Sequence, residues 1–103
     1  MANIEEKIIS EKELELVINL DLVGTNNREL EKILKDALKK GFEKIILNME
    51  KVKFIDSSGL GMLVGMNSNF KKHKISLFCK NLSPDVEKIF KITRLDSIIK
   101  IIE

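Results

Sequence analysis

The sequence predicts a single α/β domain: a mixed sheet of four or five strands with helices packed mainly on one face. Four short segments carry the apolar pattern of strands, at residues 4–9, 14–20, 45–49 and 75–79. Three stretches with helix-start signals follow the second, third and fourth of these. The order strand, strand, helix, strand, helix, strand, helix implies one sheet covered by helices. At 103 residues the chain is long enough for one core, and one domain spanning 1–103 is expected.

Each element has its own justification. Leu14, Leu16, Ile18 and Leu20 alternate strictly, as on a strand with one buried face. Ser10-Glu11-Lys12-Glu13 separates this run from the weaker one at 4–9 and suggests a hairpin. Thr25-Asn26-Asn27, with Glu29 three residues after Asn26, has the form of a capping box. Leu30, Ile33, Leu34, Ala37 and Leu38 then fall on one helical face, and Gly41 follows as a stop. The near-continuous apolar run at 45–49 is the pattern of a strand covered on both faces. Ser83-Pro84-Asp85 combines a hydroxyl cap, a proline at the first helical position and an acid in the first turn. Residues 98–102 fit either a strand or a last helical turn.

Composition removes several function classes. The 18 basic and 16 acidic residues are interleaved and leave a net charge of +2, which is no electrostatic footprint for nucleic acid. With five Phe and no Trp or Tyr, base stacking has few platforms. Cys79 is the single cysteine, so no intrachain disulfide forms. No apolar run approaches the ~20 residues of a membrane span, and the first residues lack the pattern of a signal peptide. A cytoplasmic location is the expectation.

The most informative segment is Asp56-Ser57-Ser58-Gly59-Leu60-Gly61. It stands where a helix from about Ser57 to Lys72 begins, a place where free backbone N–H groups attract negative charge. Its serines are either caps or a phosphate site. Gly59, Gly61 and Gly65 crowd the first turns of this helix, and a helical glycine costs roughly 0.5–1 kcal/mol relative to alanine. Leu60, Leu63, Val64 and Phe70 mark the expected buried stripe. Ser58, Met62, Met66 and Asn69 lie along another face, where two methionines flanked by glycines suit an adaptable contact patch or additional core.

Catalytic readings fail on this segment. Gly59-x-Gly61 lacks the third glycine and the acid of a dinucleotide fingerprint, and no Gly-Lys-Ser/Thr occurs. A hydrolase elbow needs glycine two residues before its serine, where this chain has Ile55 or Asp56. His73 is the one histidine and sits among Lys71, Lys72 and Lys74 as a solvated loop residue. One His and one Cys leave no metal cluster except scattered carboxylates, so neither metal nor cofactor is expected.

Phe54-Ile55-Asp56-Ser57-Ser58-Gly59-Leu60-Gly61 resembles the signature of bacterial anti-sigma factor antagonists, single-domain proteins of the STAS class. Ser83-Pro84-x-Val86-x-x-Ile89-Phe90-x-x-Thr93-x-Leu95 resembles that family's second recurrent segment. The resemblance runs from about Ile4 to Ile102. It implies a STAS-type fold and a binding protein that is not itself an enzyme. The implied partners are an anti-sigma factor with serine kinase activity and a serine phosphatase that resets the switch. Phosphorylation is implied at Ser57, ahead of Ser58. Asp56, Ser57, Ser58, Gly59, Gly61, Met62, Gly65, Met66 and Asn69 would form the partner-binding edge. The alternative is a STAS scaffold subunit of another assembly, either a stressosome-like signalling complex or a transport system. The chain departs from the family in two places. Leu20-Asp21-Leu22-Val23 replaces Gly-x-Leu/Ile-Asp, which puts Val23 at the usual acid, and Arg94 stands where a glycine is frequent.

Overall fold

The computed structural model describes residues 3–103. Five strands, β1 (Ile4–Ile8), β2 (Glu13–Ile18), β3 (Lys44–Asn48), β4 (Ser76–Lys80) and β5 (Lys100–Ile102), form one sheet in the order β1-β2-β3-β4-β5. The first pair is antiparallel and the rest are parallel. The helices α1 (Asn27–Ala37), α2 (Ser57–Lys72) and α3 (Pro84–Ile92) each connect neighbouring parallel strands. Each crossover steps the same way across the sheet, so right-handed connections place all three helices on one face. The tail resolves as strand β5. Its preceding turn holds Arg94 at φ +61°, a left-handed conformation that favours glycine.

The helix-covered face is a single core. Leu14, Leu16 and Ile18 of β2, Ile45 and Leu47 of β3, and Leu77 and Cys79 of β4 meet Leu30, Leu34, Leu63, Phe70, Val86 and Phe90 of the helices. Burial pushes the Cys79 thiol up to about 12, so it stays a neutral apolar group. Phases of α1 and α3 agree with the sequence pattern, and Ser83 caps α3 by accepting from the Val86 N–H at 3.3 Å.

The strand at 45–49 is covered on both faces, as its pattern predicts, but helices do not form the second cover. Ile46 is buried on the open face by the chain's own long side chains. Lys80 reaches across β3 to Glu15 at 2.8 Å, and the Lys44 ammonium lies 5.1 Å from the centre of the Phe78 ring. Burial raises the Glu15 pKa, but the Lys80 and Asn48 hydrogen bonds with the charges of Lys80 and Lys7 outweigh it, and the net shift is downward. A charged strap therefore does what a second helical layer would do. The capping box does not form. Gly24–Asn26 make a 3₁₀ turn that leaves Asn26 helical, and its amide donates to the Asp21 carbonyl at 3.1 Å. The partner of Glu29 is instead Asn3, at 3.1 Å.

Candidate functional site

Two loops meet at the carboxyl ends of β2 and β3, where ligands and partners of open parallel sheets usually dock. Leu22, just past β2, bridges in parallel to Ile55. Its N–H donates to the Phe54 carbonyl at 3.0 Å, and its carbonyl accepts from the Asp56 N–H at 3.1 Å. Asp21 turns to the backbone of the loop after β3. Its Oδ1 accepts from the backbone N–H groups of Lys53 (2.8 Å) and Phe54 (3.2 Å), fixing the loop that delivers Asp56.

Asp56 is the N-cap of α2, and the sequence reading of a helix start there is correct. Its Oδ1 accepts from the Gly59 N–H at 2.8 Å, and its Oδ2 accepts from the Gly24 N–H at 2.8 Å, across to the loop after β2. The Gly24 N–H, then the Gly59 N–H, then the Ser58 hydroxyl hold its carboxyl far below the usual carboxylate range. Asp56 is thus a fixed negative charge that ties two loops to one helix end.

The two serines differ in their bonding. Ser58 donates its hydroxyl to Asp56 Oδ1 at 2.8 Å and accepts from Asn27 Nδ2 at 2.9 Å. Ser57, one residue earlier in the first turn, is exposed, and its hydroxyl has no hydrogen-bond partner among the described residues. Asn27 is a component the sequence reading assigned only to a cap. Its position 29 to 31 residues from its partners gave no local signal.

The glycines fall into two kinds. A Cβ on Gly59 would lie 2.5 Å from the Leu22 carbonyl oxygen, 3.0 Å from Ile55 Cγ1 and 3.1 Å from Asn27 Oδ1, so tight packing explains that glycine. At Gly61 and Gly65 a Cβ would meet nothing within 4 Å. Packing within the chain gives no reason for either.

The buried stripe of α2 is Gly59, Leu63, Met66, Asn67 and Phe70, which corrects the expected one. Leu60 is half-buried and Val64 is exposed. Met66, at 2% exposure, belongs to the core and leaves the expected contact patch together with the buried Gly59. Met62 and Asn69 are half-buried. The accessible face near Asp56 is Ser57, Ser58, Gly61, Val64 and Gly65, with the exposed ring of Phe54 on the approach loop. Among the described residues no three acidic, His or Cys side chains group as metal ligands, and no helix is long and apolar enough to cross a membrane.

Acid should act on this site through Asp56. A carboxyl whose folded pKa is depressed stabilises the fold above its ordinary value of 3.8, and loses that contribution as pH falls through the folded value. Thermal melts of the wild-type protein from about pH 5 to about pH 2 should show this loss, whereas Asp56→Asn should be less stable at neutral pH and lack that part of the acid response. An unchanged acid profile in Asp56→Asn would show that another group is responsible.

Mixed sheet, one-sided helices and the capped serine pair match a known class of regulatory domain. The model of the STAS domain matches residues 5–103, and the chain belongs to the STAS family. The anti-sigma-B factor antagonist of Staphylococcus aureus (strain NCTC 8325 / PS 47) is 31% identical over 75 residues, covering 73% of this chain and 69% of that protein. Its Staphylococcus epidermidis namesake is 28% identical over the same shares. Among solved structures, a candidate anti-sigma factor antagonist of Thermotoga maritima gives a TM-score of 0.88 at 29% identity, covering 97% of this chain and 86% of that one. The unphosphorylated anti-sigma factor antagonist SpoIIAA shares the fold with a TM-score of 0.82 at 20% identity, covering 97% and 88% of the two chains.

Proposed function

We propose that this chain is an anti-sigma factor antagonist that binds an anti-sigma factor with serine kinase activity while Ser57 carries a free hydroxyl. Phosphorylation of Ser57 by that partner ends the interaction, and a serine phosphatase restores it. The observation that carries this reading is the contrast between the serines: Ser57 is exposed and unbonded, and Ser58 is held from both sides. The relatives named antagonists support the general role. For SpoIIAA, phosphorylated and unphosphorylated forms are both known, with one fold.

The binding edge is Asp56, Ser57, Ser58, Gly61, Met62, Val64 and Gly65, with Asn69 at its far end. Gly61 and Gly65 leave the α2 backbone open at a place where the chain itself does not fill the space. A partner side chain or backbone can approach there more closely than over any larger residue. Asp56 belongs to this edge as the cap that sets its geometry and charge.

Incubation with the anti-sigma kinase from the same genome and ATP, followed by peptide mass spectrometry, tests the reading. One phosphate on Ser57 is expected. No incorporation, or incorporation elsewhere, contradicts it.

A further inference from the structure

Two hydroxyls stand side by side at the start of α2, and the resemblance that favours Ser57 supplies no physical cause for a kinase to distinguish them. The distinction is built by a residue from another helix. Asn27, the first residue of α1, is 6% exposed, and its Nδ2 lies 2.9 Å from Ser58 Oγ and 3.3 Å from Asp56 Oδ1. We propose that Asn27 selects Ser57 over Ser58 as phosphoacceptor by locking the Ser58 hydroxyl inside the cap. The inference rests on the reading of Ser57 as a kinase substrate.

The chemistry sets what the lock must block. In transfer from ATP, the serine Oγ–phosphorus bond forms as the bond from the γ-phosphorus to ADP breaks, and the hydroxyl proton leaves to a base of the kinase. The acceptor oxygen therefore needs a proton that the kinase's base can take and freedom to turn outward. Ser58 Oγ has a lone pair occupied by the Asn27 N–H, and its proton is committed to Asp56 Oδ1 at 2.8 Å. Turning Ser58 toward solvent breaks both bonds at once.

Asn27 cannot follow that movement. Its Oδ1 is already buried without a hydrogen-bond partner, 3.1 Å from where a Cβ on Gly59 would sit. Flipping the amide would turn that oxygen toward the Asp56 carboxylate and leave two acceptors facing each other. Only one orientation serves both Asp56 and Ser58, and it is the one observed. Ser57, at the preceding position, has no such bonds to break. A net hydrogen bond is equivalent to roughly fivefold in an equilibrium, so two of them suffice to bias the choice strongly.

Phosphorylation by the anti-sigma kinase with ATP, read by peptide mass spectrometry, separates the outcomes. Wild-type protein should carry phosphate on Ser57 alone, and Ser57→Ala should carry almost none. Ser57→Ala combined with Asn27→Ala or Asn27→Asp should be labelled on Ser58, roughly fivefold above Ser57→Ala alone, since the bond to Asp56 remains. Circular dichroism melts accompany each variant, because Asn27 is buried. A merely structural role for Asn27 would lower the melting temperature without moving the phosphate. Strong Ser58 labelling in Ser57→Ala, the arm that leaves Asn27 intact, overturns the proposal. So does a folded double variant that stays unlabelled. Absence of phosphate from the wild-type protein would instead remove the switch reading, and this inference with it.

Discussion

Gly59→Ala should destabilise the domain by about 1–3 kcal/mol, the range for forcing an extra methyl into a packed site. The neighbour it meets is a backbone oxygen, that of Leu22, at 2.5 Å, and it cannot swing aside as a side-chain tip could. Leu22 is held from both directions, by its N–H on the Phe54 carbonyl and by the Asp56 N–H on its own carbonyl. Any relief must therefore move the α2 cap or the loop after β2, which also carries the Gly24 N–H bonded to Asp56. Gly61→Ala and Gly65→Ala should do the reverse and stabilise by roughly 0.5–1 kcal/mol each, since both positions are open and alanine is the better helix former. Thermal denaturation reads the contrast, at about 4–8 °C per kcal/mol for a domain of this size. Equal melting temperatures for Gly59→Ala and the wild type would disprove the close-approach account. If the partner uses the open backbone, both stabilised variants should bind it more weakly.

The sequence carried the fold because its signals are local. Strict alternation in β2, the apolar face of α1 and the Ser83-Pro84 start of α3 each need only a few neighbouring residues to act. The α2 stripe was harder. Three glycines leave gaps in the apolar pattern, and Asn67 occupies a core seat, donating its amide to the Ile98 carbonyl at 3.4 Å. With a polar residue buried, Val64 read as core and Met66 as surface, the opposite of what the packing does. The second face of β3 is buried as its pattern implies, but what covers it was not legible. Its cover is an ion pair spanning three strands, Glu15 to Lys80, whose members are 65 residues apart. The capped motif Asp56-Ser57-Ser58 was legible as a site. Which serine is free was not, because the decision is made by Asn27, and Asp21 likewise acts on backbone groups more than 30 residues away.

Ser57→Asp, like phosphorylation itself, should leave the fold nearly unchanged and cut affinity for the anti-sigma factor about a thousandfold. A phosphate brings about −1.5 to −2 charges. At the first turn of α2 the helix dipole and free N–H groups favour it by roughly 0.3–1 kcal/mol. Asp56 opposes it, and because Gly24, Gly59 and Ser58 keep that carboxyl ionised, its repulsion is present in full at neutral pH. The two effects are of similar size and opposite sign, so the melting temperature should move by no more than a few degrees. The interface has no such cancellation. Beside Gly61 and Val64 the added charge must lose water on binding, against a partner surface that accepts an uncharged hydroxyl. An unpaired charge at an interface costs several kcal/mol, and about 4 kcal/mol corresponds to the thousandfold loss. Ser57→Ala removes a hydroxyl that has no hydrogen bond among the described residues, so its affinity should stay near that of the wild type. Calorimetric titration of the three proteins with the anti-sigma factor measures this directly. Comparable affinities for Ser57→Asp and Ser57→Ala would mean that charge at Ser57 does not control the surface. A large drop in melting temperature accompanying the lost affinity would mean that the charge acts by disturbing the fold.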